Sequence, residues 1–449
     1  MMELTLGEIV NITQGRLLPG SPPEKTIHGL ATDSRKMQAG SLFVALQGPT
    51  YDGHDFTHAA LAGGAAATLV HRPVPGPGVL VGDTLQALQA LAADWRQRLP
   101  ARILGITGSC GKTTVKEVLA AILQEQGPTL STQGNLNNHI GVPLTLARLG
   151  PEHRFAVVEM GMNHAGELTI LSRLARPDLV LINNAGAAHL EGLGSIAAVA
   201  AAKGEILLGL SSTGIAILNG DDPFVDYWAQ RAPGEVWRFS LSDRPVRVRG
   251  QWQAQGTGGE MLVQAPQGSF SLKIPLPGRH NGANVLAAVT AALALEVPVH
   301  AIVRAVAQLQ GVPGRLQWKT GPAHSRILDD SYNANPSSLE AALQVLAQQP
   351  GNRILVLGDM AELGPDTELY HRQAGQRARE LGIDALFALG PWSAAAAAGF
   401  GSDARHYDSQ EVLVQELWKV LDAHSTVLVK GSRKARMEQV VRSLTVEEG

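Results

Sequence analysis

Short unbroken apolar runs alternate with stretches of helical period along most of the chain. In the middle, RILGIT from Arg102 leads into a helical segment opening at Lys112, and FAVVEM leads into a second. LVLINN leads into an Ala-rich helix around Ser195 to Leu208, and IAILNG closes the series. Strands that are apolar throughout must be covered on both faces, so this alternation predicts an α/β fold with a doubly wound parallel sheet. From Val246 to Ile274 the period drops to two, with Gly turns, which predicts a small antiparallel patch. The first region has shorter pieces, SLFVAL and ATLV as strands and DFTHAALAGGA as a small-residue helix. HRPVPGPG, around Pro73 to Gly78, reads as a surface connection, and GVPGR at Gly311 to Arg315 is a second break. Beyond it RILDD, RILVLGD, ALFALG and STVLVKG alternate with helices, predicting a smaller Rossmann-like α/β domain. The division is into three domains, 1–81, 82–314 and 315–449.

Composition narrows the class. Hydrophobic residues make up 45% of the 449 and charged residues 17%, enough for packed cores and against general disorder. The 49 glycines exceed the usual share of roughly 7%, as expected where loops bring bare backbone to a ligand. Aromatics at 4% argue against stacking platforms for single-stranded nucleic acid, and a net charge of -3 carries no basic footprint. A single cysteine excludes a disulfide framework and fits a reducing compartment. The start, MMELTLGEIVNITQG, is acidic where a signal peptide is basic. The longest mainly apolar stretch, Val285 to Leu295, falls short of the ~18 residues of a membrane span. A soluble, cytoplasmic protein without membrane insertion is the expectation.

The strongest chemical signal is GITGSCGKTT. A buried strand runs into a Gly-rich turn, and a helix begins at Lys112-Thr113-Thr114. Gly105, Gly108 and Gly111 let the backbone of Gly108, Ser109, Cys110 and Gly111 turn its N–H groups toward an anion. The helix N-terminus adds partial positive charge, Lys112 reaches outer phosphates, and the Thr113 hydroxyl is suited to Mg²⁺. The central sheet is therefore expected to be of P-loop ATPase type. Ile106 stands where the strict P-loop pattern has its first Gly, and the spacing here is G-x-x-G-x-x-G-K-T-T. A tight turn with an incidental lysine is the bland alternative. Cys110 reads either as a thiol activated by the helix terminus or as a tolerated loop side chain.

Downstream, Glu159 closes FAVVEM at a strand's carboxyl end, where open α/β sheets bind ligands. A carboxylate there suits phosphate-bound Mg²⁺, or merely caps the following turn. His189 follows LVLINN and is either a ligand or structural. Lys203 and Glu205, in AAAKGEIL, read alone as a solvated helix face.

Taken together, these segments resemble the Mur ligases, ATP-dependent amino-acid-adding enzymes of peptidoglycan assembly, over essentially the whole chain. GITGSCGKTT resembles the family's phosphate loop, and EMG, NAGAAHLEGLGS and KGEI its metal and carbamate segments. GRHNGANVLAA resembles the adenine-contacting segment, and PGR at Pro313 to Arg315 the linker whose Arg holds the γ-phosphate. ATDSRKMQAGSLFVALQGPTYDGHDF resembles a uridine-nucleotide-binding region. EMGMNHAGE, DDSYNANPSSL and VLGDMAELG point to the branch that joins D-Ala-D-Ala to UDP-N-acetylmuramoyl-tripeptide, whereas the D-N-P-R signature of the third-residue-adding branch is missing.

The resemblance implies a route through an acyl phosphate with release of ADP and Pi. It implies Lys112, Glu159, His189, Lys203 and Arg315 as catalytic, with Thr113, Glu159, His189 and a carbamylated Lys203 around Mg²⁺. It implies Asn281 and Asp330, beside the loop through Thr114, as ATP-binding. Ser34 and Arg35 would face the uridine nucleotide, and Asn137 and Asn138 the peptide, unless the pair only caps a loop. Lys430 and Arg433 would hold the dipeptide carboxylate. A monomer is expected. The competing readings are a third-residue-adding ligase, a folylpolyglutamate synthetase, and a P-loop ATPase switch that performs no ligation. The sequence leaves open whether the tripeptide ends in meso-diaminopimelate or lysine.

Overall fold

The computed structural model describes residues 1–188 and 190–445. The central region is a nine-stranded sheet. From one edge its strands run Thr129–Ser131, Phe155–Glu159, Arg102–Thr107, Leu179–Ile182, Ile215–Asn219, Glu235–Ser240 and Val248–Gln255, all parallel to their neighbours. Gly258–Ala265 and Gly268–Ile274 then continue it antiparallel. The two-residue period in 246–274 thus marks an extension of the main sheet rather than a separate patch. Phe239 pairs with Val248 in register, so the meander inherits the edge of the parallel array.

Strand alternation sends each strand's side chains into two layers. Leu104, Ile106, Val157 and Leu181 face one core, with Val115, Val118 and Ile122 of the helix Lys112–Gln124 and most of the helix Arg279–Ala294. Ile103, Val158, Val180 and Ile182 face the other, with Val199 and Ile206. Such side chains contribute about 1.5–3 kcal/mol each when fully buried, which explains why these strands tolerate no polar interruption before their carboxyl ends. The run 285–295 lies in a helix buried on nearly every face, and among the described residues no helix is long and apolar enough to cross a membrane.

The N-terminal sheet has five short strands in the order Arg16–Leu17, Gly78–Leu80, Ala67–Val70, Leu42–Val44 and Leu30–Ala31. The helix Thr84–Gln97 is shared. Ala87, Leu88, Leu91 and Trp95 fill the N-terminal core while Ala92 joins the central one, so this helix, capped by Asp83, serves both. The C-terminal sheet runs Gln317–Thr320, Arg326–Asp330, Ser425–Lys430, Asn352–Gly358, Ala385–Leu389 and Ala404–Tyr407, parallel except at its first edge. The last strand in sequence, Ser425–Lys430, inserts between Arg326–Asp330 and Asn352–Gly358, which opens a crevice at the carboxyl ends.

Candidate active site

The strand Arg102–Thr107 is flanked by Phe155–Glu159 and Leu179–Ile182, so the loops after all three emerge at one edge. Gly111 caps the helix Lys112–Gln124 with φ +81°. A Cβ there would lie 2.2 Å from Asn284 Oδ1 and 2.6 Å from Asn183 Nδ2, so both conformation and space require glycine. The loop is clamped from behind. Cys110 N–H donates to Asn184 Oδ1 at 2.9 Å, and Cys110 O accepts from Asn183 Nδ2 at 2.9 Å and Asn184 Nδ2 at 3.1 Å. The Ser109 hydroxyl accepts from Gly186 N–H at 2.9 Å and donates to Gly186 O at 3.2 Å. Thr114 is buried in the first helical turn.

Lys112 Nζ folds back onto Gly108 O at 2.6 Å. Burial pushes its pKa down, Glu159 opposes this, and Arg315 adds to the lowering. The Thr113 hydroxyl donates to Glu159 Oε2 at 2.9 Å and accepts from Arg315 Nη2 at 3.0 Å. Asn137 Nδ2 donates to Glu159 Oε1 at 2.8 Å, while Glu159 itself is 3% exposed. Lys203 is 1% exposed on the helix Ile196–Gly204, and burial followed by the Lys112 charge drives its pKa well below the usual lysine range. Lys112 and Arg315 thus bring two cations to the helix N-terminus beside the carboxylate of Glu159. That surplus of positive charge suits a polyphosphate.

A hard divalent cation, which favours oxygen donors, fits the pairing of the Thr113 hydroxyl with the Glu159 carboxylate. Among the described residues no three His, Cys, Asp or Glu side chains gather into a protein-only cage. His189 lies outside the described residues.

Several of the expected site residues have partners of their own. Asn281 Nδ2 donates to Pro277 O at 2.8 Å and its Oδ1 accepts from Asn284 at 3.2 Å, so its polar atoms are spent locally. Asn284, one helical turn on, is the residue whose amide reaches the loop. Asn138 accepts from the N–H groups of Ile140 and Gly141 at 3.1 and 2.9 Å, which is loop capping, whereas Asn137 joins the site. Lys430, 2% exposed, pairs with Asp330 Oδ2 at 2.5 Å and donates to Asn333 O at 2.9 Å. Lys430 and Asp330 are thus partners of each other. Burial pushes the Asp330 carboxyl up, and Lys430 counters this. Arg433 is exposed, 5.7 Å from the Tyr332 ring centre and 3.3 Å from Glu438. Ser34 and Arg35 sit on a short N-terminal-domain turn, Ser34–Lys36. There Arg35, 85% exposed, chelates Asp33 and holds its carboxyl down to about 2.

Sequence reading passed over Asn183, Asn184, Asn284, Tyr332 and Asn335. The Asn pair carried a usable signal, polar residues at a strand's carboxyl end. Asn335 did not: it caps the helix Pro336–Ala347 and also accepts from Cys110 Sγ at 3.4 Å across the domain boundary. A cavity of 540 Å³ opens at the carboxyl ends of the C-terminal sheet, where Asp359, Met360, Leu389, Trp392, Asp408 and Lys434 line it.

Family models match in three consecutive stretches: the Mur ligase family, catalytic domain over residues 26–96, the Mur ligase middle domain over 106–292, and the Mur ligase, glutamate ligase domain over 314–433. The chain is 46% identical to the UDP-N-acetylmuramoyl-tripeptide–D-alanyl-D-alanine ligase of Escherichia coli, with 99% of each chain covered. It superposes on the crystal structure of MurF from Acinetobacter baumannii with a TM-score of 0.93 at 35% identity, covering 99% of both chains. A MurF ligase from Thermotoga maritima in complex with ADP aligns with a TM-score of 0.83 at 27% identity, covering 93% of this chain and 96% of that one.

Proposed function

The chain belongs to the Mur ligase family, and from that premise we propose that it joins D-Ala-D-Ala to UDP-N-acetylmuramoyl-tripeptide at the expense of ATP. It is an ATP-dependent amide ligase. The observation that carries the reading is the meeting of Lys112, Thr113, Glu159 and Arg315 at one helix N-terminus, with Arg315 arriving from the linker after the central domain.

A carboxylate is a poor electrophile, so the tripeptide carboxylate first takes the γ-phosphoryl group and ADP leaves. The dipeptide amine then attacks the acyl phosphate, a tetrahedral intermediate collapses, and Pi departs. Positioning and charge neutralisation dominate the first step. Lys112 and Arg315 offset charge on the phosphoryl oxygens, and the loop N–H groups orient the phosphates. Thr113 and Glu159 would hold Mg²⁺, which would supply further charge neutralisation when bound. Lys203 as a carbamate would add an anion where a buried ammonium would repel the metal, and His189 would serve as a further ligand. Ser34 and Arg35 bind the uridine nucleotide. The C-terminal cavity receives the dipeptide, with Lys434 facing its carboxylate and Met360 and Leu389 its methyl groups. One chain carries every group this reading uses, and it acts as a cytoplasmic monomer.

The test supplies UDP-N-acetylmuramoyl-tripeptide labelled with ¹⁸O in its terminal carboxylate, with ATP, Mg²⁺ and one amine at a time. The expected result is label in Pi and strong preference for D-Ala-D-Ala, because a site built to pair a dipeptide's polar groups leaves them unsatisfied with other amines. Label in AMP overturns the acyl phosphate. Turnover only with a UDP-muramyl dipeptide and a diamino acid moves the protein to the third-residue-adding branch. ATP hydrolysis that needs neither substrate marks a switch.

A further inference from the structure

Arg315 reaches the phosphate loop from a segment that bends sharply. Gly314 has φ +70° and Leu316 φ +53°, so the backbone on either side of Arg315 is left-handed. The guanidinium donates to Thr113 Oγ at 3.0 Å. Its other neighbour is the Tyr332 ring, whose centre lies 4.4 Å from Cζ, and Tyr332 N–H is bonded to Gly314 O at 3.1 Å. Among the described residues no carboxylate forms an ion pair with Arg315; Asp330 feels its charge but is bonded to Lys430. The Tyr332 hydroxyl has no hydrogen-bond partner among the described residues either, so the ring face is the part in use.

The difference between an aromatic face and a carboxylate matters here. A carboxylate would orient Arg315 but cancel most of its charge, whereas a ring quadrupole orients the guanidinium and leaves the charge intact. The helix-terminal Thr is where a P-loop binds the metal that bridges the last two phosphates. A cation on that hydroxyl therefore faces the terminal phosphate. We propose that Tyr332 is a positioning residue for that phosphate, holding Arg315 against Thr113 with its charge undischarged. This rests on the nucleotide part of the reading above and not on the identity of the amine.

Calorimetric titration with ADP and with the non-hydrolysable analogue AMPPNP, both with Mg²⁺, tests it. Tyr332→Leu is expected to weaken AMPPNP about tenfold and to leave ADP within about twofold, because Arg315 meets only the terminal phosphate. Tyr332→Phe keeps the face and is expected to match wild type. In an Arg315→Met background, Tyr332→Leu is expected to add nothing. If the leucine variant fails to fold, Tyr332→Met, closer in volume, carries the same expectation. Equal weakening of both nucleotides, no weakening of either, a phenylalanine variant as weak as leucine, or additive losses with Arg315→Met would each overturn the proposal. Wild-type protein that binds neither nucleotide would overturn the phosphate-loop reading instead.

Discussion

Lys203 shows how one side chain poses a charge problem that its surroundings also solve. It is buried near Lys112, without a hydrogen-bond partner among the described residues, and both burial and that neighbour favour the neutral amine. A neutral amine is the form that adds to CO₂, and the proposed carbamate would be an anion beside cations. Lys203→Ala is expected to lose about 10²-fold or more in turnover, by the scale of removing one aligned charge from an active site. Formate or acetate should restore part of it by filling the vacated place. Steady-state assays with and without the anion check this, and full activity of the variant alone would end the carbamate assignment.

At the level of elements, adjacent strands decide which side chains meet. Arg326–Asp330 and Ser425–Lys430 are parallel neighbours with Asp330 opposite Lys430, so two charges 100 residues apart in sequence become one buried pair. The ammonium also holds Asn333 O, which pins the turn carrying Tyr332 and Asn335 over the phosphate loop. Leaving one charge of such a pair alone costs about 3–5 kcal/mol, whereas removing both costs far less. Lys430→Met is therefore expected to lower unfolding free energy by that amount, and Asp330→Asn added to it should restore some of the loss. Denaturant melts of the two singles and the double measure the coupling. Simple additivity, together with a dipeptide KM raised only by Lys430→Met, would return Lys430 to a binding role.

The whole molecule depends on the seam between its central and C-terminal domains. Arg315 on Thr113, Cys110 against Asn335, and Glu191 N–H on Glu362 O all cross it. His280, at the start of the helix Arg279–Ala294, is held at a pKa of about 4 by burial first and by the Lys430 charge second. The folded chain thus keeps this imidazole neutral where the unfolded chain would protonate it near the usual 6.5. Between these values the unfolded state binds more protons, so stability is full above the upper value and declines as pH falls toward 4. Thermal melts at pH 7.5 and pH 5 should show a larger drop for wild type than for His280→Gln. An equal drop would assign the acid sensitivity elsewhere.

Lys203 read alone as a solvated helix face but is buried, whereas the phosphate loop, Glu159 and the strand–helix alternation were legible in the chain itself. They are local: a buried strand, a glycine turn and a helix start lie within about a dozen residues, and the period of apolar positions dictates which side is covered. Asn284 behind the loop, Asn335 on Cys110, the Tyr332 face under Arg315 and the Lys430–Asp330 pair were not. Each is a contact between distant segments, decided by strand order, by register and by how two domains close on each other. Sequence spacing records which residues can do chemistry. Only the packing of sheets and domains determines which of their polar atoms are left free to do it, because a buried charge or amide must first be satisfied by whatever the fold brings within reach.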